Sequence, residues 1–195
     1  MKTDEVKEYL KVQKKDAIKL VDEINEDKIS VVIEEIEKVA RQGGEVYTIG
    51  NGGSASTAKH LAADLDKTAD QDVEFNIKSS SLVSNESLLT AWTNDADWDE
   101  VYKGQLEGRI TSDDMLMAIS VHGGTSEWSG NLVKAIEYAN SKGAATVGLA
   151  GFDGGEFTEV CDQSFVVRKE STPLAESIHV LIHHMIVFGL RESGS

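Results

Sequence analysis

Two groups of residues in this 195-residue chain have types and spacing suited to chemistry. The first is Gly50-Asn51-Gly52-Gly53-Ser54, followed by His60 and Asp64. Glycines let a backbone approach a ligand closely, and the N–H groups opening a helix carry partial positive charge. With the Ser54 hydroxyl they form an anion site, most often one for phosphate. The Gly-Lys-Ser/Thr ending of a P-loop is missing, as is the third glycine of the dinucleotide fingerprint. His60 and Asp64 are four residues apart and share a helix face. They suit a metal pair or an acid–base pair, although the same spacing is also common as a surface hydrogen bond. The second group is Glu176, His179, His183 and His184 in the apolar stretch 175–188. On a helix the first three stand at i, i+3 and i+7, on one face, and His184 lies about 80° round from Glu176. Spacing alone therefore selects His183 rather than His184.

The elements that must position these groups follow from hydrophobic pattern. Val46–Ile49 is a short β-branched run of buried-strand character, and Ala58, Leu61, Ala62 and Leu65 then repeat at helical spacing. A second strand–loop–helix unit follows. Met115–Val121 is nearly all apolar, residues 120–131 form a Gly/Ser-rich loop, and Leu132, Val133, Ile136 and Ala139 restore the helical period. Two such loops at the carboxyl ends of parallel strands form the ligand crevice of an open α/β sheet. Other strands are expected at 73–77, 144–151 and 164–168. Helices are expected at 3–23 (Val6, Leu10, Ala17, Leu20 and Val21 inward), 28–41 (Val31, Ile33, Ile36 and Val39 inward), 86–92 and 98–106. Asn94 and Asp95 fall in a turn. Thr172 and Pro173 open a last helix reaching about Leu190, and the final three residues are expected to fray. No linker or repeat divides the chain.

Composition narrows the function. An apolar content of 40% with 17 glycines and one proline is that of a globular α/β chain. A single cysteine, Cys161, excludes an intrachain disulfide. With no evident signal peptide, the expected location is cytoplasmic. The apolar runs look too short to span a bilayer. A net charge of −15 repels nucleic acid and anionic membranes, so neither is an expected partner.

These residues resemble the SIS (sugar isomerase) domain family, and within it the phosphoheptose isomerases. The resemblance is carried by residues 50–55 with His60 and Asp64, by Leu89-Thr90-Ala91 with Asn94-Asp95, by Ser120 with Ser129-Gly130-Asn131, and by Glu176 with His184. It covers nearly the whole chain. It implies a single SIS domain over 1–195, a three-layer α/β/α sandwich around a parallel five-stranded sheet. The helices of 1–42 would pack on a partner subunit of a homotetramer, leaving 43–195 as the α/β core. The implied reaction is aldose–ketose isomerisation of a phosphosugar, sedoheptulose 7-phosphate to D-glycero-D-manno-heptose 7-phosphate. Asp64 and His184 would be catalytic. Substrate would meet Asn51, Gly52, Gly53, Ser54, Asp64, Asn94, Asp95, Ser120, Val121, His122, Ser129 and Glu176. Zinc would be held by His60, Asp64, Glu176 and His184, so the resemblance prefers His184 where spacing prefers His183. The chain departs from the family in having Asp64 for the usual glutamate and Glu176 for the usual glutamine. His122 stands in place of a serine, and the loop after Ser120 is lengthened by residues 125–128. Two alternatives follow. One is an isomerase for another phosphosugar. The other is a non-catalytic SIS protein that binds a sugar phosphate or a partner such as the replication initiator DnaA.

Overall fold

The computed structural model describes residues 2–67, 76–125 and 127–193. Two helices lead, α1 (Lys2–Asp22) and α2 (Glu26–Gln42). There follow β1 (Glu45–Gly50), α3 (Gly52–Lys67), β2 (Lys78–Ser81), α4 (Glu86–Asp95), a 3-10 turn (Trp98–Glu100) and α5 (Lys103–Leu106). The second half contains β3 (Met115–Ser120), α6 (Gly130–Ser141), β4 (Ala145–Gly151), α7 (Phe157–Val160), β5 (Gln163–Val167) and α8 (Thr172–Ser193).

The five strands are parallel in the order β2-β1-β3-β4-β5. Every residue of β3 is buried, as its unbroken apolar run requires in a sheet covered on both faces. Helices α2 and α3 each pack on α8 and on the sheet, while α6 packs with α5, α7 and the 3-10 turn. The result is a three-layer α/β/α sandwich. Strand order reverses at β1, whose neighbours β2 and β3 both follow it in the chain. The loops after β1 and β3 therefore open on a topological switch point, where open α/β sheets bind ligands.

Several expectations shift. The strand expected at 73–77 falls largely outside the described residues. The edge strand is the polar Lys78–Ser81, held to β1 by the ladder and by Ser79 Oγ donating to Val46 O at 2.9 Å. Asn94 and Asp95 close helix α4 rather than forming a turn. The single helix expected at 98–106 is a 3-10 turn and one α turn. Ala175 N donates to Ser171 O, so Ser171 stands at the start of α8 and Thr172 is already inside it. Of the expected frayed end, Ser193 is still helical and its hydroxyl bonds the Leu190 carbonyl, while 194–195 lie outside the described residues.

In α1 only Leu20 is buried among the apolar residues expected inward, with Ala17 partly so. Val6, Leu10 and Val21 are exposed on this chain, as is Val31 of α2. Contrary to the reading that no run suits a bilayer, α8 has the length and apolar composition of a membrane span. Half of its most apolar stretch, however, is buried against the rest of the fold.

Candidate active site

The first loop is almost no loop at all, because Asn51 alone separates β1 from α3. Gly50 makes this possible: a Cβ there would lie 2.6 Å from the Ser54 carbonyl oxygen. Gly52 takes a positive φ of 55°, which a side chain would strain. Gly52 and Gly53 stay exposed at the opening of α3, and Ser54 is buried just behind them. Exposed amides at the positive end of a 16-residue helix suit an anion even on an acidic protein.

The two loops are joined through side chains. Asn51 Nδ2 donates to Asn131 Oδ1 at 2.9 Å and to Ser129 Oγ at 3.2 Å, and Asn131 Nδ2 returns a bond to Asn51 Oδ1 at 3.1 Å. Tyr102 OH donates to Gly50 O at 2.6 Å. Burial pushes the Tyr102 phenol up to about 12, so it keeps its proton and stays a donor. Tyr102 was not among the expected site residues, and Asn131 appeared only within the loop motif. Neither bond partner is adjacent in sequence, so no local signal marked them.

Ser120 ends β3 and is buried, and Val121 contributes its carbonyl to Gly151 N at 3.0 Å. His122 stacks on Trp128 with ring centroids 5.4 Å apart and meets Phe152 edge-on at 4.7 Å. Trp128 is exposed. Ser129 has a left-handed backbone, φ 63°, directly before α6. Asn94 and Asp95 are exposed and hydrogen-bond each other, Asn94 Nδ2 to Asp95 Oδ1 at 2.7 Å.

Where α3 packs on α8, four ionisable side chains converge. Asp64 Oδ2 lies 2.8 Å from His183 Nε2, 3.3 Å from His60 Nε2 and 3.7 Å from His184 Nε2. Donor atoms of all four fall within 4.8 Å of one another. Imidazole nitrogens with one carboxylate oxygen are a donor set that could hold a divalent metal, and they suit zinc by type. Ligand atoms about 2.1 Å from a tetrahedral ion sit about 3.4 Å apart, so the most distant donors would have to draw in by about 1 Å or more. Spacing selected His183 and the resemblance His184; the structure brings both to Asp64. Glu176 is not in this group: its carboxylate lies over Gly53, where a Cβ would be 2.2 Å from Oε1.

Burial and exposure separate the histidines. His60 and His184 are partly open, with side chains 49% and 40% exposed, while His183 is fully buried. Burial pushes the His183 imidazole down to about 4, against the opposing pull of Asp64. His179, a turn earlier, bonds the Ala150 carbonyl at 2.9 Å, and burial likewise lowers its pKa. It ties α8 to the end of β4.

Concavities on the single chain lie elsewhere. One runs past Val31, Asp114, Asn140 and Thr146 at the amino ends of β3 and β4, and another between the helix α1–α2 junction and β5. The histidine cluster lines neither.

The SIS domain family matches residues 8–151, most of the chain. The chain belongs to the SIS domain family. Phosphoheptose isomerase of Sulfurimonas denitrificans is 39% identical over 186 residues, covering 93% of each protein. Lincomycin biosynthesis protein LmbN of Streptomyces lincolnensis is 41% identical over 150 residues, 74% of this chain; the match spans about half of that longer protein, 54%. Among solved structures, phosphoheptose isomerase of Neisseria gonorrhoeae superposes with a TM-score of 0.85 at 24% identity, covering 96% of this chain and 99% of that one. At that identity the superposition speaks for the fold, and the curated relatives speak for the activity. This SIS-domain chain is a phosphosugar isomerase of the phosphoheptose isomerase type.

Proposed function

We propose that the chain interconverts sedoheptulose 7-phosphate and D-glycero-D-manno-heptose 7-phosphate. The observation that carries this is the carboxylate of Asp64 ringed by three imidazoles, on the same helix that opens with the Gly52-Gly53-Ser54 anion site. At 1.5 Å per residue, Gly53 and His60 are about 10 Å apart along α3. A seven-carbon sugar held by its terminal phosphate at the loop is long enough to bring its other end to the imidazoles.

The phosphate would accept from the amides of Gly52 and Gly53 and from the hydroxyls of Ser54, Ser120 and Ser129. Asn51 would hold the two loops at the right separation, with Asn94, Asp95, Val121, His122 and Glu176 completing the wall. Asp64 and His184 would share the proton transfers. One takes the proton from the carbon beside the carbonyl while the other protonates the carbonyl oxygen, giving the enediol; a proton then returns to the former carbonyl carbon as the neighbouring hydroxyl gives up its own, leaving the new carbonyl. His60, Asp64 and His184 would hold zinc, which would polarise the substrate oxygens; the Glu176 carboxylate, expected as a fourth ligand, lies instead over Gly53. The phosphate anchor, remote from the reacting carbons, would supply orientation.

The same reading takes a homotetramer in the cytoplasm. Val6, Tyr9, Leu10 and Val21 leave an exposed apolar face on α1 that a second copy would cover. The histidine cluster, open on one chain, would be closed by that copy. Light scattering with size exclusion tests the assembly, with four chains expected.

The function is tested by incubating the metal-depleted protein with sedoheptulose 7-phosphate, with and without zinc, and following the aldose phosphate. Zinc-dependent product is expected. Absence of product together with thermal stabilisation by a different phosphosugar favours the second reading, an isomerase for another phosphosugar. The His122–Trp128–Phe152 cluster in the lengthened second loop supports that alternative.

A further inference from the structure

Of the two fully buried histidines on α8, His179 has a structural partner, the backbone of β4, but His183 does not. The partner of His183 is the side chain of Asp64, 2.8 Å away, and its other ring nitrogen, Nδ1, is buried without a hydrogen bond. A carboxylate oxygen is the natural acceptor of this pair, which makes His183 Nε2 the donor. A leucine would fill this apolar position without an unpaired nitrogen, so stability does not account for the imidazole. Asp64 is one methylene shorter than the glutamate usual in the resembling family. Its carboxylate lies close to the backbone of α3, within reach of a group rising from inside α8. His60 and His184, both partly exposed, stand on the open side of that carboxylate.

We propose that His183 is a positioning residue: its Nε2–H holds Asp64 Oδ2, so that the short carboxylate stays aimed between His60 and His184. This deepens the isomerase reading and rests on it only for the claim about turnover. The pair His183–Asp64 is thus one unit, in which neither member has its full effect without the other.

The test compares H183L, which fills the space with no donor, and H183Q, whose amide N–H can replace Nε2–H. Three measurements are made on the full-length protein. The first is zinc affinity by competition with a chromogenic chelator. The second is the melting temperature of the metal-free protein. The third is kcat and KM for sedoheptulose 7-phosphate. For H183L, zinc affinity and kcat are expected to fall roughly 10–100-fold, with KM within about threefold because the phosphate loop is untouched. The melting temperature should stay equal or rise. H183Q should recover most of both losses. In a D64N background, H183L should have little further effect on zinc affinity.

Unchanged zinc affinity in H183L overturns the proposal and makes His183 a packing residue. Equal loss in H183L and H183Q also overturns it, since that is the signature of a direct metal ligand. So does a lowered melting temperature that H183Q fails to restore. If no variant turns over sedoheptulose 7-phosphate while the zinc coupling between His183 and Asp64 persists, the substrate assignment fails and the positioning role stands.

Discussion

The two strand–loop–helix units of this protein share a topology and differ in what closes their loops. After β1 the chain turns in one residue. Gly50 sits so close to the Ser54 carbonyl that no side chain fits, and the following helix carries His60 and Asp64 two to three turns on. After β3 the chain takes residues 121–129 to reach α6. Its base is tied to the β4–α7 connection by Phe157 N donating to Gly123 O and Glu156 N to Gly124 O, both 2.9 Å. Its tip is built from side chains, with Trp128 stacked on His122. Backbone geometry constrains the first loop, whereas the second can vary at its tip while its base stays anchored. The first unit accordingly has the character of machinery, and the second that of a selector.

If that division holds, damage to the first unit should slow every substrate, and damage to the tip of the second should change which substrate is preferred. The largest effect is expected from H184Q, which removes a ring lying beside Asp64 on the open side. Turnover should fall about 10²–10⁴-fold for any phosphosugar the enzyme accepts, with little change in melting temperature because the ring is partly exposed. Steady-state kinetics on two phosphosugars of different length decide it; a loss confined to one of them breaks the comparison.

Next is a pair of glycines, one in each unit: Gly50 at the end of β1 and Gly130 at the start of α6. G50A forces backbone apart at the first turn of α3 and should cost about 3 kcal/mol or more. G130A puts its methyl no closer than 3.5 Å to Asp99 Oδ1, an ordinary contact, and should change stability by less than about 1 kcal/mol. Urea denaturation measures both.

The contrast also explains what the sequence made legible. The β1–α3 unit could be read because its signals are local: a β-branched run, a glycine turn and a helical repeat in twenty consecutive residues. Buried strands β3 and β4 were legible for the same reason. The edge strand Lys78–Ser81 was not, because its polar serines are stabilised by neighbours across the ladder rather than by burial. Most of the apolar residues of α1 expected to face inward are uncovered on this chain. Amphipathic spacing identifies an apolar face without saying whether its own chain covers it. In the site, His60 and Asp64 were legible from spacing, and so was the ambiguity between His183 and His184. Its resolution, that both reach Asp64 from different depths, depends on how α3 crosses α8. The Asn51–Asn131 pair joins residues 80 apart in sequence and had no local signal.

That pair offers a smaller perturbation of the joint between the two units. N131A leaves the Asn51 amide without its reciprocal partner beside a buried position. It should cost about 1–3 kcal/mol in urea denaturation and raise KM for phosphosugars of any length. A kcat loss with KM unchanged would place the joint in the chemistry instead.

The smallest and most discriminating change is at the tip of the second loop. Trp128 is exposed yet stacked on His122, and His122 is braced edge-on by Phe152. A ring kept in the open by two others presents a rigid apolar plate beside Ser129, where a sugar's C–H face can rest. At about 25 cal/mol per Å², covering roughly 30–50 Å² of the exposed ring contributes on the order of 1 kcal/mol, a ratio of about 5-fold at 1.36 kcal/mol per decade. W128A should therefore shift the ratio of kcat/KM between a seven-carbon and a shorter phosphosugar by a few-fold, through KM, with kcat nearly constant. W128F, which keeps a ring in place, should stay close to the parent. An equal loss of kcat on both sugars would make the tip part of the machinery and erase the distinction between the units. An unchanged ratio in W128A would leave selection to the loop's base, where Gly123 and Gly124 hold the backbone in its left-handed turn.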